Sequence, residues 1–343
     1  MKSIALIVDV KNWAFDIQAQ LIKKSLKDEF KIDIFYSKHE PYNEDIIKIL
    51  DDVKNYDIIH FFWRKTILPI CDKEIQRKLE KKNINIEDLK KKISTGIYDH
   101  LFLDEDIYNP LFNDICKKYV TSSKKLYEIY RKNKKIKDPY AILGDTFDEK
   151  LFFPKNLERF KESKKSLVIG WVGNSSWNNK LLDGNGKMID FKGFHTILSP
   201  VIEELKNERY NIETYYADKN VNFIPNNKMC DYFNKIDVYV CASISEGTPR
   251  PLIEAMGCGV PIITTDIGVA KQYFGAKQKR YIISERKIGK DEDNIKKELK
   301  EKIIYLYKNR KELEELSQEN YNNSKAINNS CYNEKYRKYF SDF

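Results

Sequence analysis

No run of about 18 apolar residues occurs in the 343-residue chain, which excludes a membrane-spanning helix. Residues 1–10 are too short and too quickly charged for a signal peptide. The six cysteines, at 71, 116, 230, 241, 258 and 331, include no C-x-x-C pair, which argues against zinc ribbons and thioredoxin-like sites. Cys241 and Cys258 sit in apolar stretches and read as small core residues. Glycine is missing from Asp9-Val10-Lys11-Asn12-Trp13-Ala14, where a G-x-G-x-x-G dinucleotide fingerprint would fall, and a dehydrogenase loses its main support. Repeats beyond two α/β halves are absent. These absences lead us to expect a cytoplasmic protein in a reducing compartment, at most peripheral at the inner face of a membrane.

What is present is a globular composition. It is 41% hydrophobic and 33% charged, and 22 Tyr with 18 Phe argue against disorder. The length accommodates two domains. Net charge is +9, and basic runs at 81–82, 90–92, 117–118, 124–125 and 131–135 put much of the excess in the first half. Such runs are ordinarily solvated helix faces. The sharper reading is a basic face for an anionic membrane surface or a polyanionic glycan acceptor. No nucleic-acid-binding motif accompanies the charge, so nucleic acid is a disfavoured partner.

Apolar periodicity places strands at 3–9, 32–36, 57–62, 93–97 and 119–123, and helices at 13–26 and 124–131, the latter capped by Ser122 or Ser123. Arg64 is expected at the carboxyl end of the third strand, and Tyr98-Asp99-His100 follows the fourth. Asp104-Glu105-Asp106 has the look of a metal-binding D-x-D but reads as a solvated loop. After a charged linker at 155–165, a second α/β unit begins. Its strands are expected at 167–172, 212–216 and 221–224, with helices ending near Arg209 and at 268–274, 296–317 and within 324–343. The polar insertion at 175–190, with Trp177, Gly184 and Gly186, reads either as a tolerated surface loop or as a flap over a ligand.

The most informative stretch is 237–266, DVYVCASISEGTPRPLIEAMGCGVPIITTD. A strand, Val238-Tyr239-Val240-Cys241, runs into a loop at 243–250. A helix follows, with Pro251 at its first position and its end at Gly257 or Gly259, and 260–264 begin the next strand. Ligands of open α/β sheets gather at such strand ends, and N–H groups at a helix start favour an anion, typically phosphate. Glu246 and Glu254 flank that position. Carboxylates repel phosphate but accept hydroxyl hydrogens. Phosphate-binding N–H groups between two hydroxyl acceptors suit a nucleotide sugar. The bland alternative is a doubly wound sheet with two solvated glutamates.

Glu246 and Glu254, with seven residues between them and Ala255-Met256-Gly257-Cys258-Gly259-Val260-Pro261 behind, resemble the E-x7-E signature of the retaining family-4 glycosyltransferases with the GT-B fold. The resemblance is strong in the second half and weak in the first. It implies an α/β chain of two Rossmann-like doubly wound domains facing across a cleft. Residues 1–155 would lie on the acceptor side, joined by a C-terminal helix at about 325–343, and 156–324 would bind a nucleoside-diphosphate sugar. Gly144-Asp145-Thr146-Phe147-Asp148 with Leu151-Phe152-Phe153-Pro154 is similar to the segment that closes the family's first domain.

The resemblance also assigns roles. Glu254 would hold the ribose, Glu246 a donor-sugar hydroxyl, and Lys192 of Lys192-Gly193 the diphosphate. Gly173, Asn174, Gly247 and Thr248 would lie beside the phosphates and Met229 in the loop near the base. Tyr98 or His100 would take the place of a histidine near the donor. Two departures stand out. The paired glycines of the family's first loop are missing, with Ala14 the small residue there, and the family's diphosphate arginine is Asn174 here. Arg250 is the natural replacement cation and Arg64 the second choice. The implied reaction is retaining and metal-independent. It needs no cofactor, and the acceptor is a glycan or lipid-linked intermediate of cell-surface polysaccharide. Alternatives are a nucleotide-sugar epimerase or phosphorylase of the same fold, or a binding protein with a degenerate GT-B domain. The joint presence of Glu246, Glu254 and Lys192 argues against degeneracy.

Overall fold

The structure is a computed structural model. It describes all residues except 38–42, 102, 104–105, 162–165, 177–181, 183–185, 187 and 328, and all side chains of the rest except those of 43–44 and 329–331. The chain divides into two compact units: Met1–Thr146 with Asn329–Phe343, and Phe147–Asn328.

The first unit is built on β1 (Ser3–Val8), β2 (Lys31–Tyr36), β3 (Ile58–Phe61), β4 (Ile93–Ile97), β5 (Lys118–Thr121) and β6 (Ala141–Ile142). They form one sheet in the order β2-β1-β3-β4-β5-β6, parallel throughout. A parallel sheet is covered on both faces, so its strands need unbroken apolar runs. The run SIALIV of β1 meets that need, buried from Ile4 to Val8. Side chains alternate faces along it. Ala5 and Ile7 join a core with Ile46, Leu50 and Phe61. Ile4, Leu6 and Val8 face the other way, toward Ala19 and Ile22 of the helix Ala14–Leu26 and toward Tyr336, Tyr339 and Phe340 of the last helix, Asn329–Ser341. Ser123 caps the helix Lys124–Lys132 by accepting from the Leu126 amide at 3.2 Å.

The second unit holds β7 (Leu167–Gly173), β8 (Ile212–Asp218), β9 (Val238–Cys241), β10 (Ile262–Thr265) and β11 (Ile282–Ile283) in the order β11-β10-β9-β7-β8, again all parallel. Phe147 opens this unit because its ring lies under the helix Arg250–Gly257: a Cβ on Gly257 would come within 2.6 Å of it. Within the charged linker, Leu157–Phe160 forms a short 3-10 turn whose Phe160 enters the second core, while 162–165 lie outside the described residues.

Three expectations need correction. Residues 221–224 are not a strand. The amides of Val221 and Asn222 turn back onto the Asp218 carbonyl, leaving Val221 83% and Phe223 69% exposed. The alternation V-x-F-x reads the same in a strand and in an apolar surface loop. The segment 296–317 is not one helix but parts of two, Glu292–Lys308 and Arg310–Ser324, broken at Asn309. Pro251 is the second rather than the first residue of its helix, because Arg250 already has helical geometry.

Candidate active site

Three loop segments build one site on the second unit where the adjacent strands β9, β7 and β8 end: the two ends of the connection that follows β7, and the loop that follows β9. The loop after β7 is organised by Asn174. Its Oδ1 accepts from the Ser176 amide (3.0 Å), Ser176 Oγ (2.7 Å) and Asn220 Nδ2 (2.6 Å). Asp218, at the end of β8, accepts from the amides of Ser175 and Asn220. Asn174 therefore ties two strand ends together and brings no charge. Of the insertion that follows, Trp177 and Gly184 lie outside the described residues. Gly173 fits close against Trp171, whose ring a Cβ would meet at 2.5 Å.

The second loop carries Lys192-Gly193. The carboxylate of Asp190 accepts from the amides of Phe194 (3.3 Å), His195 (2.7 Å) and Thr196 (2.8 Å), closing the start of the helical segment behind it. Gly193 has φ 69°, and a Cβ there would lie 2.4 Å from the Ala242 carbonyl, so the position needs glycine on both counts.

The third loop follows β9. The Thr265 hydroxyl donates to the Ser243 carbonyl at 2.7 Å, and Ser243 Oγ donates to Glu246 Oε1 at 3.1 Å. Beneath it Gly268 approaches so closely that a Cβ would sit 1.8 Å from the Gly247 carbonyl oxygen. The helix Arg250–Gly257 then ends in a Schellman turn. The Val260 amide reaches the Ala255 carbonyl and the Gly259 amide the Met256 carbonyl, with Gly259 at φ 65°.

Two ion pairs result. Lys192 Nζ donates to Glu246 Oε1, with the side chains 24% and 16% exposed. Burial works against the Lys192 ammonium, but the adjacent carboxylate outweighs it and the pKa stands above the usual lysine value. Arg250 Nη2 donates to Glu254 Oε1 at 2.9 Å, both almost fully buried. Burial raises the Glu254 pKa, and Arg250 offsets part of that rise. Arg250, expected as the stand-in for a missing diphosphate cation, is thus turned to Glu254. Thr248 is buried in the loop, and Met229 is buried where the helix Met229–Phe233 starts.

In the first unit Arg64 is 1% exposed. It begins a short helix, Arg64–Ile67, and its guanidinium grips Asp99 through both Nη atoms (3.1 and 2.6 Å), reaches the Leu101 carbonyl at 3.0 Å and lies over the Tyr108 ring. That fork is occupied within the unit, which removes Arg64 as a free donor-binding cation. Tyr98 packs its ring on Phe15 with centroids 4.7 Å apart, and His100 sits half-buried on the loop beyond β4. Asp106 pairs with Lys135 at 2.5 Å, while Asp104 and Glu105 lie outside the described residues. No helix among the described residues is long and apolar enough to cross a membrane.

Sequence reasoning missed Asp190, Asp218, Gly268 and the buried Arg286. Asp190 carried a legible signal, an aspartate placed to cap a following helix. Arg286 carried none, since three of its four acceptors, two of them backbone carbonyls, lie far away in the chain.

Residues 201–323 match the family model described as Glycosyl transferases group 1. Both sheets are parallel α/β, and the whole chain superposes on sucrose-phosphate synthase from Thermosynechococcus elongatus (TM-score 0.71, 13% identity, 100% of both chains). The fold is GT-B. A second solved structure with this fold is Anabaena Alr3699/HepE in complex with UDP-glucose (TM-score 0.69, 12% identity, 100% of both chains). Among curated proteins, the putative teichuronic acid biosynthesis glycosyltransferase TuaC of Bacillus subtilis (strain 168) is 42% identical over 55 residues, 16% of this chain and 14% of that protein. Protein CapJ of Staphylococcus aureus is 27% identical over 174 residues, 43% of this chain and 41% of its own length. The matched part thus spans less than half the length of either curated relative.

Proposed function

We propose that the protein is a retaining glycosyltransferase that moves a sugar from a nucleoside-diphosphate donor to a glycan or lipid-linked acceptor in cell-surface polysaccharide biosynthesis. The observation that carries this reading is the Lys192–Glu246 pair, set at a loop-to-helix junction whose next turn holds Glu254. One cation for a diphosphate and two acceptors for hydroxyls then lie on two neighbouring loops and the helix that follows one of them. The naming of TuaC for teichuronic acid biosynthesis and the UDP-glucose bound to HepE support the donor and acceptor classes.

In this reading Lys192 and the loop amides near Gly247 and Thr248 neutralise the charge that grows on the leaving diphosphate, the kind of electrostatic stabilisation that usually dominates catalysis. Glu246 exchanges Lys192 for a hydroxyl of the donor sugar and orients it. Glu254, held by Arg250 through one oxygen, accepts from the ribose. In this reading the acceptor belongs to the first unit, with Tyr98 or His100 as its candidate residue for the reaction. The transfer requires no metal ion and no cofactor. Association with the inner face of a membrane would rest on the lysine-rich first unit.

The test is a screen of nucleotide sugars for donor hydrolysis without acceptor, in the presence and absence of EDTA. Release of a nucleoside diphosphate from one donor, insensitive to EDTA and with the free sugar first formed in the donor's own anomeric configuration, is the expected result. Conversion of a donor into an isomeric free sugar or nucleotide sugar would favour an epimerase. Failure of every nucleotide and nucleotide sugar to bind would sink the reading.

A further inference from the structure

Arg286 is buried to 2% exposure just after β11, yet it is not packed as a lone core cation. Nη1 donates to the Asp190 carbonyl at 2.7 Å and to the Ala242 carbonyl at 3.2 Å. Nη2 donates to Thr196 Oγ1 at 2.8 Å and to Glu292 at 3.1 Å. The first and third acceptors belong to the loop that carries Lys192, and the second opens the loop that carries Glu246. A Cβ on Gly193 would lie 3.0 Å from Nη1, so this guanidinium sits directly behind the Lys192-Gly193 turn.

Burying a guanidinium is costly unless its donors are matched. Here most of the matching is with two site loops rather than with a carboxylate. A planar fork delivers several donors at fixed angles, which an ammonium cannot do. The same hub explains why Gly193 must lack a side chain and why Asp190 can cap its helix with its carboxylate while its carbonyl is held from behind.

We propose that Arg286 is the positioning residue of the site: it locks the Asp190–Thr196 turn against the loop that starts at Ala242, so that Lys192 is held opposite Glu246, where a donor's diphosphate would bind. Arg286 itself touches no substrate. It acts through Lys192, and the inference rests on the glycosyltransferase reading above.

The experiment is a double-mutant cycle read by calorimetry on the full chain. Uridine, guanosine and thymidine diphosphates are titrated into wild type, and the tightest binder is carried forward. Arg286→Lys keeps the charge but loses the fork, and should weaken that nucleotide about tenfold, the scale of a misplaced binding group. In a Lys192→Ala background the same change should cost less than about twofold, because the group it positions is gone. The Tm of each variant is recorded, and if Arg286→Lys folds poorly, Glu292→Leu and Thr196→Val each remove one acceptor and should give a smaller loss with the same dependence on Lys192. An equal loss in both backgrounds, or no loss in the wild-type background, overturns the positioning role while leaving the glycosyltransferase reading intact. Failure of wild type to bind any of the three diphosphates overturns both.

Discussion

Arg64–Asp99 in the first unit and Lys192–Glu246 in the second are both cation–carboxylate pairs at the ends of parallel strands, and their surroundings separate them. Arg64 is sealed from solvent, its fork filled by Asp99 and the Leu101 carbonyl and its plane laid on Tyr108. Asp99 also accepts from the Leu101 amide, and its own carbonyl accepts from the Tyr130 hydroxyl at 3.0 Å. That pair clasps a loop to its sheet. Lys192 is a flexible point charge, 24% exposed, facing a carboxylate on a loop that ends in a helix start. Its ammonium has three donors on a flexible stem, which no fixed fork ties to a single acceptor. The lesson is that charge at a strand end is not by itself a site. A buried guanidinium gripped within its own unit marks structure, whereas a lysine–glutamate pair still partly open to solvent marks a position that a ligand can take over.

The comparison can be broken at either end. The largest effect is expected from Arg64→Met, which strands the Asp99 carboxylate: the first unit should lose about 3–5 kcal/mol in chemical denaturation. A loss under about 1 kcal/mol would show that the clasp is not structural. Lys192→Ala should cost less stability than Arg64→Met, since Lys192 is 24% exposed where Arg64 is 1%, and water can take the vacated place beside Glu246. It should also lower donor turnover by about 10²–10³, as expected when one charge-stabilising donor is removed. Melting without loss of turnover would reverse the assignment of the two pairs.

Next comes a pH effect confined to the first unit. Burial drives the pKa of His60 down to about 3, and its ring bonds Ser94 Oγ at 2.7 Å. The unfolded chain protonates this histidine near pH 6.5 and the native chain does not. Stability from this group is therefore complete above about pH 6.5 and lost as pH falls toward 3, by at most about 1.4 kcal/mol per unit. Hydrogen exchange of β3 and β4 should record that slope, and His60→Asn should flatten it. A slope unchanged in the variant would put the acid sensitivity elsewhere.

How far the sequence alone reaches follows from the same contrast. Strands such as β1 and β9 are legible because burial on both faces forces apolar runs that no loop needs. Glu246 and Glu254 are legible from their spacing around a strand end and a helix start, whereas Lys192, 54 residues from Glu246, is brought beside them only by the family resemblance. The false strand at 221–224 shows the limit of periodicity, since Val221 and Phe223 alternate correctly yet face solvent. Position after a strand says nothing about Arg64's partner, because Asp99, which holds its side chain, lies 35 residues on. Arg250, expected as a diphosphate cation, pairs with its i+4 neighbour Glu254, the spacing that helix geometry brings together. Arg286 lies 96 residues from the Asp190 carbonyl it grips, and a bond to a backbone atom leaves no side-chain signature at the far end.

In the proposed reaction Lys192 waits on Glu246 and turns to the donor's diphosphate when it arrives. Glu246→Gln tests this most directly. Titrated with the nucleoside diphosphate that wild type binds, this variant should bind about fivefold more tightly, because Lys192 no longer leaves a carboxylate to meet the phosphate, an exchange of about 1 kcal/mol. Donor hydrolysis by the same variant should fall, since the sugar loses its orienting acceptor. Affinity and turnover falling together would contradict the account.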